Sequence, residues 1–162
     1  MSSKPSYLIP GSAADEKSEE KDPFGAARSL AQYLGILLAV DYDIDAIDRV
    51  AKARRLEDFA EGIYNALRRR ENLLQRIKEK MKNIGDERDK TALSEAIRLI
   101  EGFSAFKVDT LINSLKARND AQLKLIASYI GSRALAFTET ERKVREIFEK
   151  RQEQQAQQSE ER

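Results

Sequence analysis

Apolar residues recur at three- and four-residue steps through nearly all of this chain, and that spacing predicts helices. Phe24, Ala27, Leu30, Ala31, Leu34, Leu37 and Leu38 form one buried stripe, with Asp22 and Pro23 fitting an N-cap and first-turn proline. Asp41-Tyr-Asp-Ile-Asp interrupts it and caps a short second helix, with Ile44, Ile47, Val50 and Ala51 turned inward. A third and longest helix carries Leu56, Ala60, Ile63, Leu67, Arg70, Leu74, Ile77, Met81 and Ile84 in alternating steps of four and three. That is a heptad seam with one violation, Arg70. Gly85-Asp86 is expected to stop it, glycine taking the left-handed conformation of a helix end.

Leu93, Ala96, Ile97 and Ile100 mark a fourth helix that Gly102 bends or ends. Residues 103–116 suit a helix through Leu111, Ile112 and Leu115, although Phe106-Lys-Val-Asp-Thr-Leu also fits a short strand. Asn119-Asp120 caps a helix with Leu123, Ile126, Ala127, Ile130, Ala134 and Phe137, in which Gly131 lets another helix approach. Thr138 or Thr140 opens a last one with Val144, Ile147 and Phe148. The expectation is an all-α bundle of five or six helices, forming a single domain over residues 23–150. Residues 1–22, polar and acidic apart from Tyr7-Leu-Ile, read as a disordered arm. The Gln-rich residues 151–162 cannot bury a face and read as a disordered tail.

Composition narrows the chemistry. A chain of 162 residues suits one domain. With no Cys and no His it has no thiol nucleophile, disulfide, Cys/His zinc site or imidazole base, and no cofactor motif is present. The expectation is a non-enzymatic protein. No apolar run approaches a membrane span and no signal-peptide pattern opens the chain, so no membrane partner and a cytoplasmic address are expected. A net charge of +1 means that attraction to a polyanion must come from a local patch.

Such a patch is present. Asp45-Ala-Ile-Asp-Arg-Val-Ala-Lys-Ala-Arg-Arg and Ala66-Leu-Arg-Arg-Arg-Glu concentrate basic residues in neighbouring helices. At about 100° per residue, Arg69, Arg76 and Lys80 share a stripe beside the seam, Arg55 lies near the same line, and Arg49, Lys52 and Arg54 stand just before it. A row of this kind tracks a phosphate backbone, each contact releasing counterions. Glu57, Asp58, Glu61, Glu71 and Glu79 stand close enough to neutralise part of it, so an ordinary solvated helix face explains the pattern equally well. Arg70, on the seam itself, either makes a buried ion pair or meets a partner. Asp41, Asp43, Asp45 and Asp48 are the one candidate metal cluster, but Ala46 and Lys52 stand where a calcium loop needs Gly and Glu. Capping is the better account, and no metal is expected.

The segment Tyr42-Asp-Ile-Asp-Ala-Ile-Asp-Arg-Val-Ala-Lys-Ala, the following long helix with Ala66-Leu-Arg, and Ile126-Ala-Ser-Tyr-Ile-Gly-Ser-Arg-Ala-Leu-Ala resemble the small subunit of archaeal type I-A CRISPR interference (Cascade) complexes. The resemblance spans residues 24–137 and implies a non-catalytic, helical antiviral-defence subunit packed against other subunits of a ribonucleoprotein. It implies contact with single-stranded DNA or a guide RNA–target duplex through Arg49, Lys52, Arg54, Arg55, Arg69 and Arg76. The contrasting reading is a helical protein–protein adaptor that forms homo-oligomers through the seam and binds no nucleic acid.

Overall fold

A computed structural model describes the backbone of residues 23–160 and the side chains of residues 24–150. The expected arm, residues 1–22, lies outside the described residues. Eight helical segments follow one another: α1 (Pro23–Asp41), α2 (Ile44–Ala51), α3 (Leu56–Arg68), α4 (Arg70–Lys82), α5 (Glu87–Gly102), α6 (Ala105–Lys116), α7 (Asp120–Ala136) and α8 (Glu139–Glu160). Because one residue separates α3 from α4, the bundle has seven helices when that pair counts as one, somewhat more than expected. No strand occurs among the described residues, and the alternative left open at 103–116 resolves to helix.

The organising element is α1. Every residue from Tyr33 to Val40 is buried, so the second half of this helix is apolar all round and not along one stripe only. A helix of that kind must be wrapped by others. α7 and α8 pack along it, α2, α4, α5 and α6 complete the shell, and α7 also seats α2. Gly131 lets α7 approach α2 closely, since an added Cβ would collide with Ala51. Phe148 is the last side chain packed against the core among the described residues. The helical backbone of α8 nevertheless continues to Glu160.

The expected long third helix is interrupted at Arg69, and the cause lies in α1. The buried Tyr33 hydroxyl donates to the Ala66 carbonyl at 2.7 Å, and the Arg69 N–H bonds the same carbonyl at 3.2 Å with three-residue spacing. A side chain inserted at a helical carbonyl is a recognised cause of a break. Burial pushes the Tyr33 phenol up to about 12, against the pull of Arg70 and Arg69, so it stays a neutral donor. Its ring stacks on Phe103 at 5.6 Å. The buried apolar line through both segments is Phe59, Ile63, Ala66, Leu73, Leu74 and Ile77; Ile63, Leu74 and Ile77 belong to the expected seam, and Phe59, Ala66 and Leu73 lie one position from it. Arg70 sits on its margin and makes no ion pair among the described residues; it donates to the Glu101 carbonyl at 3.1 Å, near the C-terminus of α5. A cation suits that negative dipole end.

The helix ends divide similarly. Asp43 caps α2 through Ala46 N–H at 3.1 Å, Asp86 caps α5 through Arg88 N–H at 2.8 Å, and Asn119 with Gln122 forms a capping box on α7. No glycine among the described residues has positive φ, contrary to the expectation for Gly85. The left-handed positions are Tyr42 and Phe137, at φ 54° and 57°. At the start of α8, the Thr138 N–H donates to Glu141, a carboxylate with no exposed surface. Gly35 of α1 leaves space for it, since a Cβ there would lie 2.8 Å from the Glu141 Cδ.

Candidate nucleic-acid interface

The short α2 turns Ile47 and Val50 inward, which leaves Arg49 in its last turn facing outward and Lys52 at its C-cap. Ala53 is buried and pins the connector, so Arg54 and Arg55 project before α3 begins. Gly62 brings α3 close to α2: a Cβ on it would lie 3.1 Å from the Val50 Cγ2. An open groove of about 500 Å³ results, lined by Arg49 of α2, by Lys52, Arg54 and Arg55 of the connector, and by Asp58, Glu61 and Asn65 of α3. A further 330 Å³ continues past Arg49 and Asn65 toward Asp43, Asp45 and Arg69.

The four cations are lightly held. Lys52 pairs with Asp48 at 2.9 Å and Arg55 with Asp58 at 3.5 Å, both exposed contacts between successive turns. Such pairs are worth about 0.3–0.5 kcal/mol and exchange readily for another anion. Arg49 and Arg54 have no ion-pair or hydrogen-bond partner among the described residues.

The rest of the expected row goes elsewhere. Arg76 pairs with Asp41 and donates to the Val40 carbonyl at 3.2 Å, which ties α4 to the C-terminus of α1. Arg69 pairs with Asp43 and reaches Asp41 at 3.6 Å. Asp41 is only 6% exposed, so this is a partly buried four-residue cluster and not a solvated face. Lys80 is buried with its ammonium 5.5 Å from the Phe148 ring centroid. The expected seven-residue row is therefore split: four members gather at the groove, and Arg69, Arg76 and Lys80 are turned into contacts between helices. Arg69 alone also borders the groove's far end.

The acidic cluster divides too. Asp43 caps and pairs at once, Asp41 pairs, Asp48 holds Lys52, and Asp45 lies exposed at the groove's acidic end. No group of three potential ligands that could hold a metal occurs among the described residues.

Two arrangements had no place in the row. The Arg145 guanidinium lies 5.0 Å from the Phe137 ring centroid and 5.8 Å from that of Tyr42, while its Nε bonds Glu149 at 2.9 Å. The two left-handed residues thus both present rings to one cation, and a left-handed backbone at a bulky residue costs about 1–3 kcal/mol that such contacts offset. The second is Glu141. Burial raises its pKa, while its contacts to Thr138 and the charge of Arg133 act the other way. Thr138-Glu-Thr-Glu141 is a capping-box spacing that identifies it in the sequence; nothing local marks Arg145.

No described helix is long and apolar enough to cross a membrane. No family profile, curated protein or solved structure matches this chain.

Proposed function

We propose that this protein is a non-catalytic helical subunit that binds the phosphate backbone of nucleic acid in the groove between α2 and α3. The observation that carries the reading is the convergence of Arg49 and Arg54, both unpartnered among the described residues, with the exchangeable Lys52 and Arg55 in the lining of one groove. Guanidinium groups suit phosphate through their forked donors, and Arg49 needs no partner to be given up. The resemblance to CRISPR small subunits supports placing this activity in a ribonucleoprotein of antiviral defence. Co-purification of a guide RNA with the tagged protein from its source cells tests that placement.

Four cations set the expected salt dependence. For a single strand, log K should fall against log salt with a slope of about −3, and for a duplex slightly more steeply. Fluorescence anisotropy with a labelled oligonucleotide measures both affinity and slope. The double substitution Arg49→Glu, Arg54→Glu should cut affinity at least tenfold and flatten the slope. Unchanged values in a folded variant would remove the groove from consideration.

A helical adaptor is the second reading, favoured by Leu125 and Leu135, both largely exposed on α7. It expects self-association in light scattering and no retention of oligonucleotide at moderate salt.

A further inference from the structure

Leu125 and Leu135 are 63% and 51% exposed on α7. They belong to one outward stripe: Ala121, Leu125, Ser128, Ser132 and Leu135 step by four and three, and all are exposed. At about 100° per residue the stripe covers about 80° of the helix, nearly opposite the buried Leu123, Ile126, Ala127, Ile130 and Ala134. It holds no charge, in a chain of which 35% is charged, whereas α3, α4 and α5 carry Glu61, Glu79 and Arg98 on their exposed faces. The Ser132 hydroxyl donates to the Tyr129 carbonyl of its own helix at 3.1 Å, so covering it strands no donor. The spacing is that of a coiled-coil seam. It is also symmetric: Leu125 and Leu135 stand at equal distances either side of Ile130, and so do Ser128 and Ser132.

We propose that this stripe docks a second copy of the chain, the two α7 helices packing antiparallel about a two-fold axis level with Ile130. Leu125 then meets the partner's Leu135 at each end, and Ser128 meets the partner's Ser132 in the middle, where small side chains let the helices come close. A parallel pair sets like against like for any sequence, so only antiparallel pairing uses the symmetry of this one. Antiparallel packing also opposes the two helix dipoles. It sets the two Lys124 ammonium groups about 18 Å apart along the axis, where a parallel pair would bring them level. A two-fold contact closes on itself, so the product is a dimer and not a filament. The 17-residue helix is about 25 Å long and about 10 Å across. The pair therefore covers on the order of 300–500 Å² on each partner, below the roughly 800 Å² of a standard interface, and a dissociation constant on the order of 100 µM is expected. The dimer is independent of the groove reading. It gives the self-association expected of an adaptor a surface and a symmetry.

Sedimentation equilibrium of the full chain up to about 1 mM tests this, with a monomer–dimer equilibrium and no larger species expected. Leu125→Glu and Leu135→Lys should each weaken dimerisation at least tenfold, since either charge is buried twice in a symmetric contact. Both side chains are exposed in the monomer, so the variants keep their fold, which circular dichroism checks. Mixing reads the direction. Leu125→Glu with Leu135→Lys should form a heterodimer, its two charges meeting at one end and its two leucines at the other. Leu125→Glu with Leu125→Lys should not, and the reverse result would mean a parallel pair and overturn the proposal. A wild type that stays monomeric throughout overturns it as well. Dimers that survive both single variants would leave the adaptor reading standing and place its contact elsewhere, against the proposal. A ladder of larger species abolished by Leu125→Glu would show that the face meets a different surface, and the two-fold would be wrong. Affinity for a short oligonucleotide is a separate readout and should not change in either variant; its loss would assign the stripe to nucleic acid. A wild type that dimerises through this stripe and binds no oligonucleotide supports the dimer and removes the groove.

Discussion

Replacing Arg76 with alanine should lower folding stability by about 1–3 kcal/mol, because its charge serves the fold. The Arg76 guanidinium joins two groups of α1, the Asp41 carboxylate and the Val40 carbonyl. Breaking a fully buried ion pair costs about 3–5 kcal/mol, since the partner's charge is stranded. Two features reduce that figure here. Arg76 is 42% exposed, so water screens part of the interaction. Arg69 remains 3.6 Å from Asp41 and supplies a weaker partner. At this chain length each kcal/mol lowers the melting temperature by about 3 °C, so a shift of about 3–9 °C is expected. Urea unfolding followed by far-UV circular dichroism gives the free energy, and a double-mutant cycle with Asp41→Asn should return a coupling of about 1 kcal/mol or more. Oligonucleotide affinity, measured where the variant is fully folded, should change little. An unchanged unfolding midpoint with lost affinity would refute this assignment and return Arg76 to the phosphate row.

Gly131→Ala gains about 1 kcal/mol of helix propensity within α7 but forces a methyl onto Ala51, whose Cα would be only 3.3 Å away. Overpacking of this kind costs about 1–3 kcal/mol. The variant should therefore gain nothing or lose stability, and adding Ala51→Gly should recover part of the loss in denaturant titrations; a simple gain of the full propensity would show that α2 and α7 are not in contact there. Burial raises the folded pKa of Glu141, so its contribution to stability is fully present below the unfolded pKa and is lost as pH rises through the folded one. Glu141→Gln, which keeps the acceptor for Thr138, should be the more stable protein at neutral pH, with the advantage shrinking as pH falls toward the carboxylate range. Melting curves across pH test this, and a wild type that gains on the variant as pH rises would contradict it.

The helical class was legible because burial writes a period of 3.6 residues into each amphipathic segment. Asn119 with Gln122, and Asp43, were readable as caps for the same reason, since a cap's partners lie within its own first turn. The two errors of architecture both came from α1. Its apolar positions do show a stripe, but Tyr33, Ile36, Ala39 and Val40 lie outside that stripe and are buried as well. A stripe template records only that one face is apolar, whereas the second half of this helix is covered on every side. The break at Arg69 follows from the same centrality. Tyr33 reaches Ala66 across the core, and no property of residues 56–84 announces that a hydroxyl from α1 will take one of their carbonyls.

The candidate site separates by the same criterion, the distance along the chain to each cation's partner. Arg49, Lys52, Arg54 and Arg55 lie on a short helix and an exposed connector, where the carboxylates within reach belong to adjacent turns: Asp48 for Lys52 and Asp58 for Arg55. Their surroundings were therefore readable from spacing alone. Arg69, Arg76 and Lys80 border the buried line of α3 and α4, so what they meet is decided by whichever helix packs there. For Arg76 that is the end of α1, for Arg69 the end of α1 together with the cap of α2, and for Lys80 it is α8. Helical geometry placed the three on one stripe and said nothing of what stood opposite it. Asp43 shows how a local explanation can conceal a distant one: one of its oxygens caps α2, as its position requires, and the other holds Arg69. A satisfied cap gave no reason to look for a second role. In a helical bundle, a cation beside the apolar seam is thus a weaker candidate for a phosphate than one on a connector, because the seam draws another helix, with its carboxylates and carbonyl ends, to within reach of it.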